Sequence, residues 1–590
     1  MCGIVGMIDY QRPASVHTQT VRRMVRALHH RGPDDHGQWQ GRHATLGHTR
    51  LALLDRRRGA QPMIDPTGRH VLVYNGEVYN HDDLRQELRD RWDFRTRSDT
   101  EVVLAALVTW GEQALPRLDG MFALAFWDEH EQRGLLARDR LGVKPLAYRL
   151  RPDGLAFASE AKALVTTTDE RPRPNMDALL EVLAAPCFSG VQAPAFADLH
   201  YLQPGERLRI SATGIERHTW APLPLSADRD DEHLPADLRA AMQAAVARTR
   251  RADVPVGVFF SGGLDSTLIA SLLARDAEAP PRAYTIAFDG QDDYDYSNSR
   301  IVISDDTPFA REAAHELGLP QHWVHTPTSS IEHTLPELAR IDDAIPVWEQ
   351  QLAQHHLAAA ASEHDRAIMV GDAADETHYG YHFLLDEHAT RSPLALLRRF
   401  PSAPLHPDLG PDVQARLAEG YADLQAAAGH GGHSRRDRIL ATTWLVLRRW
   451  LPRLLHNGDI HTMAFSVEAR VPFADRALVD LALCIDPQRA FVDGQGKALL
   501  REAVRGLLPE PVRTRRKSAL PKDQRTAKLY QRMVSRCLDE DPAFLAALCD
   551  LPALRALLEP ERPLDEGERA VLFRVAAVAH WQRAYDVAVP

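Results

Sequence analysis

Residues 256 to 273 constrain the fold of this chain more than any other stretch. Val256-Gly257-Val258-Phe259-Phe260 is an apolar run of strand length, and Thr267 to Leu273 carries apolar residues at helical spacing. Ser261-Gly262-Gly263-Leu264-Asp265-Ser266 lies between them. The reading is a strand, a tight turn and a helix. Paired glycines let the backbone turn sharply and approach a ligand closely. The helix that follows aims unpaired N–H groups and its positive dipole end at the turn, a setting for an anion such as pyrophosphate. Asp265 would repel phosphate unless a hard cation such as Mg²⁺ bridges the two. A Walker loop needs a lysine after its last glycine, and Leu264 stands there instead. Taken alone, the stretch also reads as an ordinary strand-turn-helix corner.

The sequence around this corner repeats the pattern. From Leu238 onward, helical stretches alternate with short apolar strands at Val256 to Phe260, Ala283 to Phe288 and Arg366 to Val370. Such alternation predicts βαβ units and a parallel sheet. Ligands of parallel sheets sit beyond the C-terminal strand ends, which directs attention to loops 261–266, 289–308 and 371–377. Gly371-Asp372-Ala373-Ala374-Asp375-Glu376 sets three carboxylates in five residues at a strand end. That is costly unless they meet a cation or act as acid and base. The acidic stretch Asp289 to Asp306 is long enough to be functional or disordered. Further on come Ser466-Val467-Glu468-Ala469-Arg470-Val471-Pro472-Phe473, Gly496-Lys497-Ala498-Leu499-Leu500-Arg501 and Arg515-Arg516-Lys517-Ser518-Ala519.

The other end opens Met1-Cys2-Gly3-Ile4-Val5-Gly6. Removal of Met1 would free the α-amine of Cys2, whose unperturbed pKa of about 7.7 to 8 lets it take the proton of its own thiol. A lone Cys2 would more often be a buried structural residue. Downstream lie His30-Arg31-Gly32-Pro33-Asp34-Asp35 and the apolar run Leu46 to Asp55 with a single arginine, Arg50. Val71-Leu72-Val73-Tyr74 reads as a strand stopping at Asn75-Gly76, by itself a two-residue hairpin turn, with Glu77 next. Ser98 and Glu101 predict a capping box, with Asp99 as first-turn helix charge.

Composition narrows the class. A formal net charge of -11 gives no basic footprint, which argues against a nucleic-acid partner. Five scattered cysteines, Cys2, Cys187, Cys484, Cys537 and Cys549, form no CxxC pair. They predict neither a disulfide framework nor a zinc site and favour a reducing compartment. No signal-peptide pattern opens the chain, and no apolar run approaches the ~20 residues of a bilayer span. The expectation is a cytoplasmic protein with no membrane contact.

Cys2, Arg50, Asn75-Gly76-Glu77 and Asp99, with Gly120-Met121-Phe122-Ala123, Ala137-Arg138-Asp139-Arg140-Leu141-Gly142 and Lys144-Pro145-Leu146, resemble the N-terminal-nucleophile glutaminase domain of class II glutamine amidotransferases. The resemblance runs from Met1 to about Leu164 and implies a sandwich of two mainly antiparallel sheets with helices outside. It implies that Cys2 attacks the glutamine side-chain amide, with Asn75 and the Gly76 N–H as oxyanion hole. Arg50, followed by Leu51, Ala52, Leu53 and Leu54, would hold the glutamine α-carboxylate, and Asp99 with Glu77 the α-ammonium. A linker from Pro222 to Glu232 places the boundary near residue 220, giving domains 1–220 and 221–590.

End to end, the chain resembles the glutamine-hydrolysing asparagine synthetase family, whose second domain is an α/β ATP pyrophosphatase akin to the adenine nucleotide α-hydrolases. The resemblance implies ATP and Mg²⁺. Phe260, Ile286, Val370 and Gly371 would line the adenosine pocket, and Ser261, Gly262, Gly263, Leu264, Asp265 and Ser266 would cradle pyrophosphate. Asp265 and Asp375 would hold Mg²⁺, and Lys517 would neutralise charge on the α-phosphate. The expected reaction is amidation of a carboxylic acid, aspartate first among the candidates, through an acyl-adenylate. A homodimer is admitted. Two departures lie near the acceptor. Asp372 stands where the family has a Glu that takes a proton from ammonia, and Thr377-His378-Tyr379-Gly380-Tyr381 replaces an apolar Phe-Gly-Gly-Tyr ending. The stretch after Lys517 resembles a subgroup that amidates other acids, among them diaminopimelate and natural-product acids. A regulatory paralogue without catalysis is the third reading, and the intact Cys2, Asn75, Asp99, Asp265 and Lys517 argue against it.

Overall fold

The structure, a computed structural model, describes residues 2–186, 194–223, 225–226, 228–229, 231–276, 279–291, 304–387, 401–428, 434–518 and 524–590, with Tyr294, Tyr296 and Thr390. Cys187, most of the loop between Asp289 and Asp306, and residues 519–523 lie outside the described residues.

The first half builds β1 (Cys2–Asp9), β2 (Asp35–Gln40), β3 (Ala44–Arg50), β4 (Met63–Ile64), β5 (His70–Val78) and β6 (Gly120–Asp128). It continues with β7 (Arg133–Arg138), β8 (Ala147–Arg151), β9 (Gly154–Ala158), β10 (His200–Tyr201), β11 (Glu206–Ser211) and β12 (Gly214–Thr219). They form two six-stranded sheets, ordered β10-β8-β9-β1-β3-β2 and β12-β11-β7-β6-β5-β4. All the registered pairs in both are antiparallel. Side-chain alternation assigns the faces. Ile4 and Ile8 of β1 meet Val71 and Val73 of β5 and Trp127 of β6 in the core between the sheets. Val5 and Met7 point the other way, into a core that continues through Val21 and Met24 to Leu335, Tyr530 and Phe573 of the second half. Leu72, Tyr74 and Val78 cover the far face with the helix Asp99–Trp110. The expected sandwich is therefore present.

Two local expectations fail. Asn75-Gly76 makes no hairpin: β5 runs straight through it to Val78, because β6 pairs with every residue from His70 to Val78. Ser98 does cap its helix, accepting from the Thr100 N–H. Glu101, however, turns back onto the Arg95 and Thr96 N–H groups and the Thr96 hydroxyl, so no capping box forms.

The second half carries β13 (Val256–Phe259), β14 (Ala283–Phe288), β15 (Gln321–Thr326), β16 (Ala367–Met369) and β17 (Glu468–Arg470). They form one sheet, ordered β15-β14-β13-β16-β17, with every pair parallel. Strand order reverses between β13 and β16. At such a switch point the two adjacent loops part and leave a crevice, and here those loops are 261–266 and 371–376. Helix Leu264–Asp276 starts inside the Ser-Gly-Gly-Leu-Asp-Ser turn, as its composition requires. The helix Leu451–Met463 is buried along nearly its whole length. Of the helices among the described residues, none is long and apolar enough to cross a membrane.

Candidate functional site

The first site forms where β1, β3 and β5 begin or end. Cys2 opens β1 opposite Arg50 on β3. Its backbone nitrogen donates to Asn75 Oδ1 at 3.0 Å, and its carbonyl accepts from Arg31 Nε at 3.0 Å. Burial pushes the Cys2 thiol above its ordinary pKa, while the positive chain terminus, the Leu51 N–H and Arg50 act the other way. The resting thiol thus needs a base. Asn75 Nδ2 is buried with no hydrogen-bond partner among the described residues. A donor so placed costs stability until something accepts from it. Gly76 is required by packing, since a Cβ there would sit 2.3 Å from the Met121 carbonyl oxygen and 2.7 Å from Phe122 Cα.

The remaining first-site residues converge on the same end. Arg50 is braced through the Arg56 and Asp55 carbonyls at 3.0 and 2.8 Å. Its loop is held by Asp34, whose Oδ2 accepts from the Ala52 N–H at 2.8 Å. Leu51 and Leu53 pack on Met463 of the second half, and Leu54 is half-buried. Asp99 Oδ2 accepts from Tyr74 OH at 2.8 Å and from the Val78 N–H at 3.0 Å. Burial raises the pKa of both Asp99 and Glu77, and the Asp99 charge raises that of Glu77 further. Glu77 Oε1 has no hydrogen-bond partner among the described residues, while Oε2 faces Arg470 Nη2 at 3.5 Å. Two buried acids side by side make a place for a cationic group.

The second site occupies the switch-point crevice. A cavity of about 360 Å³ is lined by Phe260, Ile286 and Val370 on its apolar side and by Gly371, Asp372 and Gln354 beyond. A second, of about 400 Å³, is lined by Lys497, Arg501, Arg515 and Lys517. Ser261, Gly263 and Asp265 border both, and Ser266 borders the first. Gly262 takes φ +71, and a Cβ there would meet the Ala310 nitrogen at 2.4 Å. Leu264 seals the turn from below, 7% exposed. The loop thus stands between an apolar chamber and a cationic one.

Lys497 ties the acids together. Its Nζ lies 2.7 Å from Asp265 Oδ2 and 2.6 Å from Asp375 Oδ1. Burial works against this ammonium, but the two carboxylates outweigh it and hold its pKa above the usual lysine value. Lys517 pairs with Asp375 Oδ2. Burial alone would raise the Asp375 pKa, yet Lys497 and Lys517 bring it well below the carboxylate range. The buried Oδ1 of Asp265 has no hydrogen-bond partner among the described residues. Two carboxylates converging on one cation-sized point, with an oxygen to spare, fit a hard metal ion. Gly380 permits this approach, since a Cβ there would sit 1.9 Å from Asp375 Oδ1. Tyr379 takes φ +56, in the left-handed region that favours glycine. Asp372 differs from Asp375: burial and the Asp375 charge push its carboxyl up to about 6.

The sites are joined by buried charge. Arg31, which binds the Cys2 carbonyl, reaches Glu160 Oε1 at 2.6 Å and Asp459 Oδ2 at 2.7 Å. Asp459 lies on the helix Leu451–Met463, next to Gly458, where a Cβ would be 3.2 Å from Asp372 Oδ2. A second link runs from Glu77 through Arg470 to the carbonyl of Arg470, which accepts from the Val370 N–H at 2.9 Å. Sequence reading gave no role to Lys497, Arg31, Arg470, Asp459 or Gly458. The first three stood inside motifs already singled out. Nothing local marks Asp459 or Gly458, which matter only through contacts distant in sequence.

Comparison with known proteins matches each half of the chain to a family. Residues 1–221 match the glutamine amidotransferase domain family, and residues 237–583 match asparagine synthase. The chain is 30% identical to the glutamine-hydrolyzing asparagine synthetase 3 of Bacillus subtilis (strain 168), covering 95% of this chain and 94% of the relative. Against asparagine synthetase B (glutamine-hydrolyzing) of Escherichia coli (strain K12) it is 28% identical, over 88% of this chain and 81% of the relative. Fold and comparisons together define a glutamine amidotransferase domain joined to a parallel-sheet α/β domain. The chain belongs to the asparagine synthase family.

Proposed function

We propose that this protein hydrolyses glutamine at Cys2, activates a carboxylic acid with ATP in the switch-point crevice, and transfers ammonia internally to form an amide. The boundary between the two catalytic units falls near residue 220. The observation that carries the reading is the junction of an apolar and a cationic chamber at the Ser261–Ser266 loop, with Asp372 beside it. Phe260, Ile286, Val370 and Gly371 suit adenosine, and Lys497, Arg501, Arg515 and Lys517 suit the phosphates. Asp265 and Asp375 would hold Mg²⁺, which when bound supplies positive charge to the leaving pyrophosphate.

At the first site the freed amine of Cys2 takes the thiol proton, and the thiolate attacks the glutamine amide. The amine returns the proton to the nitrogen as the C–N bond breaks and ammonia leaves, and water then hydrolyses the thioester to glutamate. The unpartnered Asn75 Nδ2 and the Gly76 N–H receive the negative charge on the carbonyl oxygen, donors worth ~3 kcal/mol each. Arg50 holds the α-carboxylate, and the protonated α-amine satisfies Asp99 and Glu77. At the second site the acceptor carboxylate attacks the α-phosphate, Lys517 steadies the charge formed there, and pyrophosphate leaves. Ammonia then displaces AMP from the acyl-adenylate, with Asp372 taking its proton. The helix Leu451–Met463, with Asp459 beside Arg31 and Gly458 beside Asp372, is the element along which ammonia would pass from Cys2 to Asp372. There the adenylate is kept from water.

Aspartate is the first candidate acceptor. A second reading keeps the chemistry and changes the acid. It is favoured by the chamber beside Asp372, where the described lining includes Gln350, Gln351, Gln354 and Asn457 but no lysine or arginine to pair with a second carboxylate. The test is pyrophosphate release with ATP, Mg²⁺ and glutamine across a panel of mono- and dicarboxylic acids. Aspartate should lead if the first reading holds. Release with no acid in the panel would reject both.

A further inference from the structure

A further constellation lies behind the wall of the acceptor chamber, one hydrogen bond from its lining residue Gln351, where the two halves of the chain meet. Asp342 and Asp343 follow the helix Ile331–Ile341, and His456 projects from the helix Leu451–Met463. All three are fully buried. One donor atom from each lies within 4.8 Å of the others. His456 Nε2 is 3.7 Å from Asp342 Oδ1 and 3.6 Å from Asp343 Oδ1. These separations are too long for hydrogen bonds, and neither imidazole nitrogen has a hydrogen-bond partner among the described residues. They do match the spacing of neighbouring ligands around one ion, since bonds of about 2.0–2.2 Å set tetrahedral ligands roughly 3.3–3.6 Å apart.

The surroundings hold each ligand in this pose. Asp342 is anchored through Oδ2, which accepts from Gln351 Nε2 at 2.7 Å and Arg453 Nη2 at 3.2 Å. Asp343 is anchored through Oδ2 by the Lys162 N–H at 3.0 Å. Both therefore present Oδ1 to the imidazole. Each Oδ1 accepts one further bond, from the Ala344 N–H at 3.0 Å for Asp342 and from Tyr201 OH at 2.7 Å for Asp343, leaving a lone pair free. The ring of Tyr201 stands edge-on to His456, with centroids 5.4 Å apart. Among the described residues, Arg453 and His461 stand beside Asp342, whereas Asp343 has only His456 within ion-pair distance, so a cation held between the three would balance a buried charge that otherwise depends on the imidazole alone.

We propose that Asp342, Asp343 and His456 bind a structural divalent transition-metal ion, Zn²⁺ being the best match. An imidazole with two carboxylates suits zinc rather than Mg²⁺ or Ca²⁺, which take all-oxygen sets. The cysteine spacing gave no sign of this site because its ligands are acids and one histidine far apart in sequence. The ion ties the acids after Ile341, flanked by Lys162 and Tyr201 from the first half, to the helix that carries Gly458 and Asp459.

The test begins with the purified full chain, dialysed without chelator and analysed for metal by atomic emission; about one zinc per chain is expected. Cobalt exchanged into the protein in excess Mg²⁺ should give visible absorption bands that His456→Gln and Asp343→Asn lose. Tyr201→Phe removes only the donor to Asp343, so it should keep the fold and weaken zinc, in competition with a chromophoric chelator, by about 10- to 100-fold. Wild-type protein that carries no metal above background and takes up no cobalt would overturn the proposal and leave a proton shared among the three residues. Cobalt bands undiminished in His456→Gln and Asp343→Asn would overturn it as well.

Discussion

Two residues decide whether the chemistry runs. Cys2→Ala should abolish amide formation from glutamine while ammonium salts still support it. If both nitrogen sources fail together, the two sites are not separable steps. Asp372 makes a sharper case. Its carboxyl is pushed up to about 6, by burial first and by Asp375 second, above its ordinary value of ~3.9. The folded protein therefore binds this proton more tightly than the unfolded chain. The group contributes stability that is present at low pH and is lost as pH rises through about 6. Asp372→Asn should accordingly raise stability at pH 8 by about 2 kcal/mol, discounting for partial exposure, while greatly reducing amide yield. A pH profile of glutamine-dependent amide formation in the wild type should fall as pH drops through about 6, where the base is lost. Unchanged amide yield in Asp372→Asn would remove this residue from the proton transfer. Asp372→Glu tests the acceptor: partial activity fits aspartate, and poor activity fits a pocket shaped for another acid.

At the level of elements, the helix Leu451–Met463 is the part to probe, because one side faces Asp372 and the other Arg31. Gly458→Ala should be neutral or stabilising for the helix by up to ~1 kcal/mol. Its new methyl, 3.2 Å from Asp372 Oδ2, would nonetheless strip water from the carboxylate and shift it. Amide formation should drop by about 10- to 100-fold with pyrophosphate release less affected, as expected for a reacting group displaced by a fraction of an ångström. Parallel assays of the two products check this, and equal losses would refute it. The same helix shows what was legible beforehand. The strand-turn-helix at 256–273, the acids after β16 and the N-terminal cysteine with Asn75-Gly76 are local patterns, and the structure sets the first two side by side and brings Cys2 to Asn75. The short β17 and the role of Gly458 are set by what packs on them. A three-residue strand buried on both sides has no period to read.

At the scale of the molecule, buried charge holds the halves in register. Arg31 is fully buried between Glu160 and Asp459 and braces the Cys2 carbonyl. Arg31→Met would leave Glu160 with Lys162 and His30 and Asp459 with Lys144, and should cost about 2–3 kcal/mol for the lost charge-assisted hydrogen bonds. Thermal unfolding would report it, and a loss under ~1 kcal/mol would mean that water or rearrangement replaces the guanidinium.

Arg470 has a different consequence. Rooted in β17 of the second half, it faces Glu77 of the first at 3.5 Å while its Nε pairs with Glu468. The first half therefore shares this buried ion pair with the second. Cut out near residue 220, the first half should keep Cys2 and Asn75 together but leave the buried Glu77 without this guanidinium.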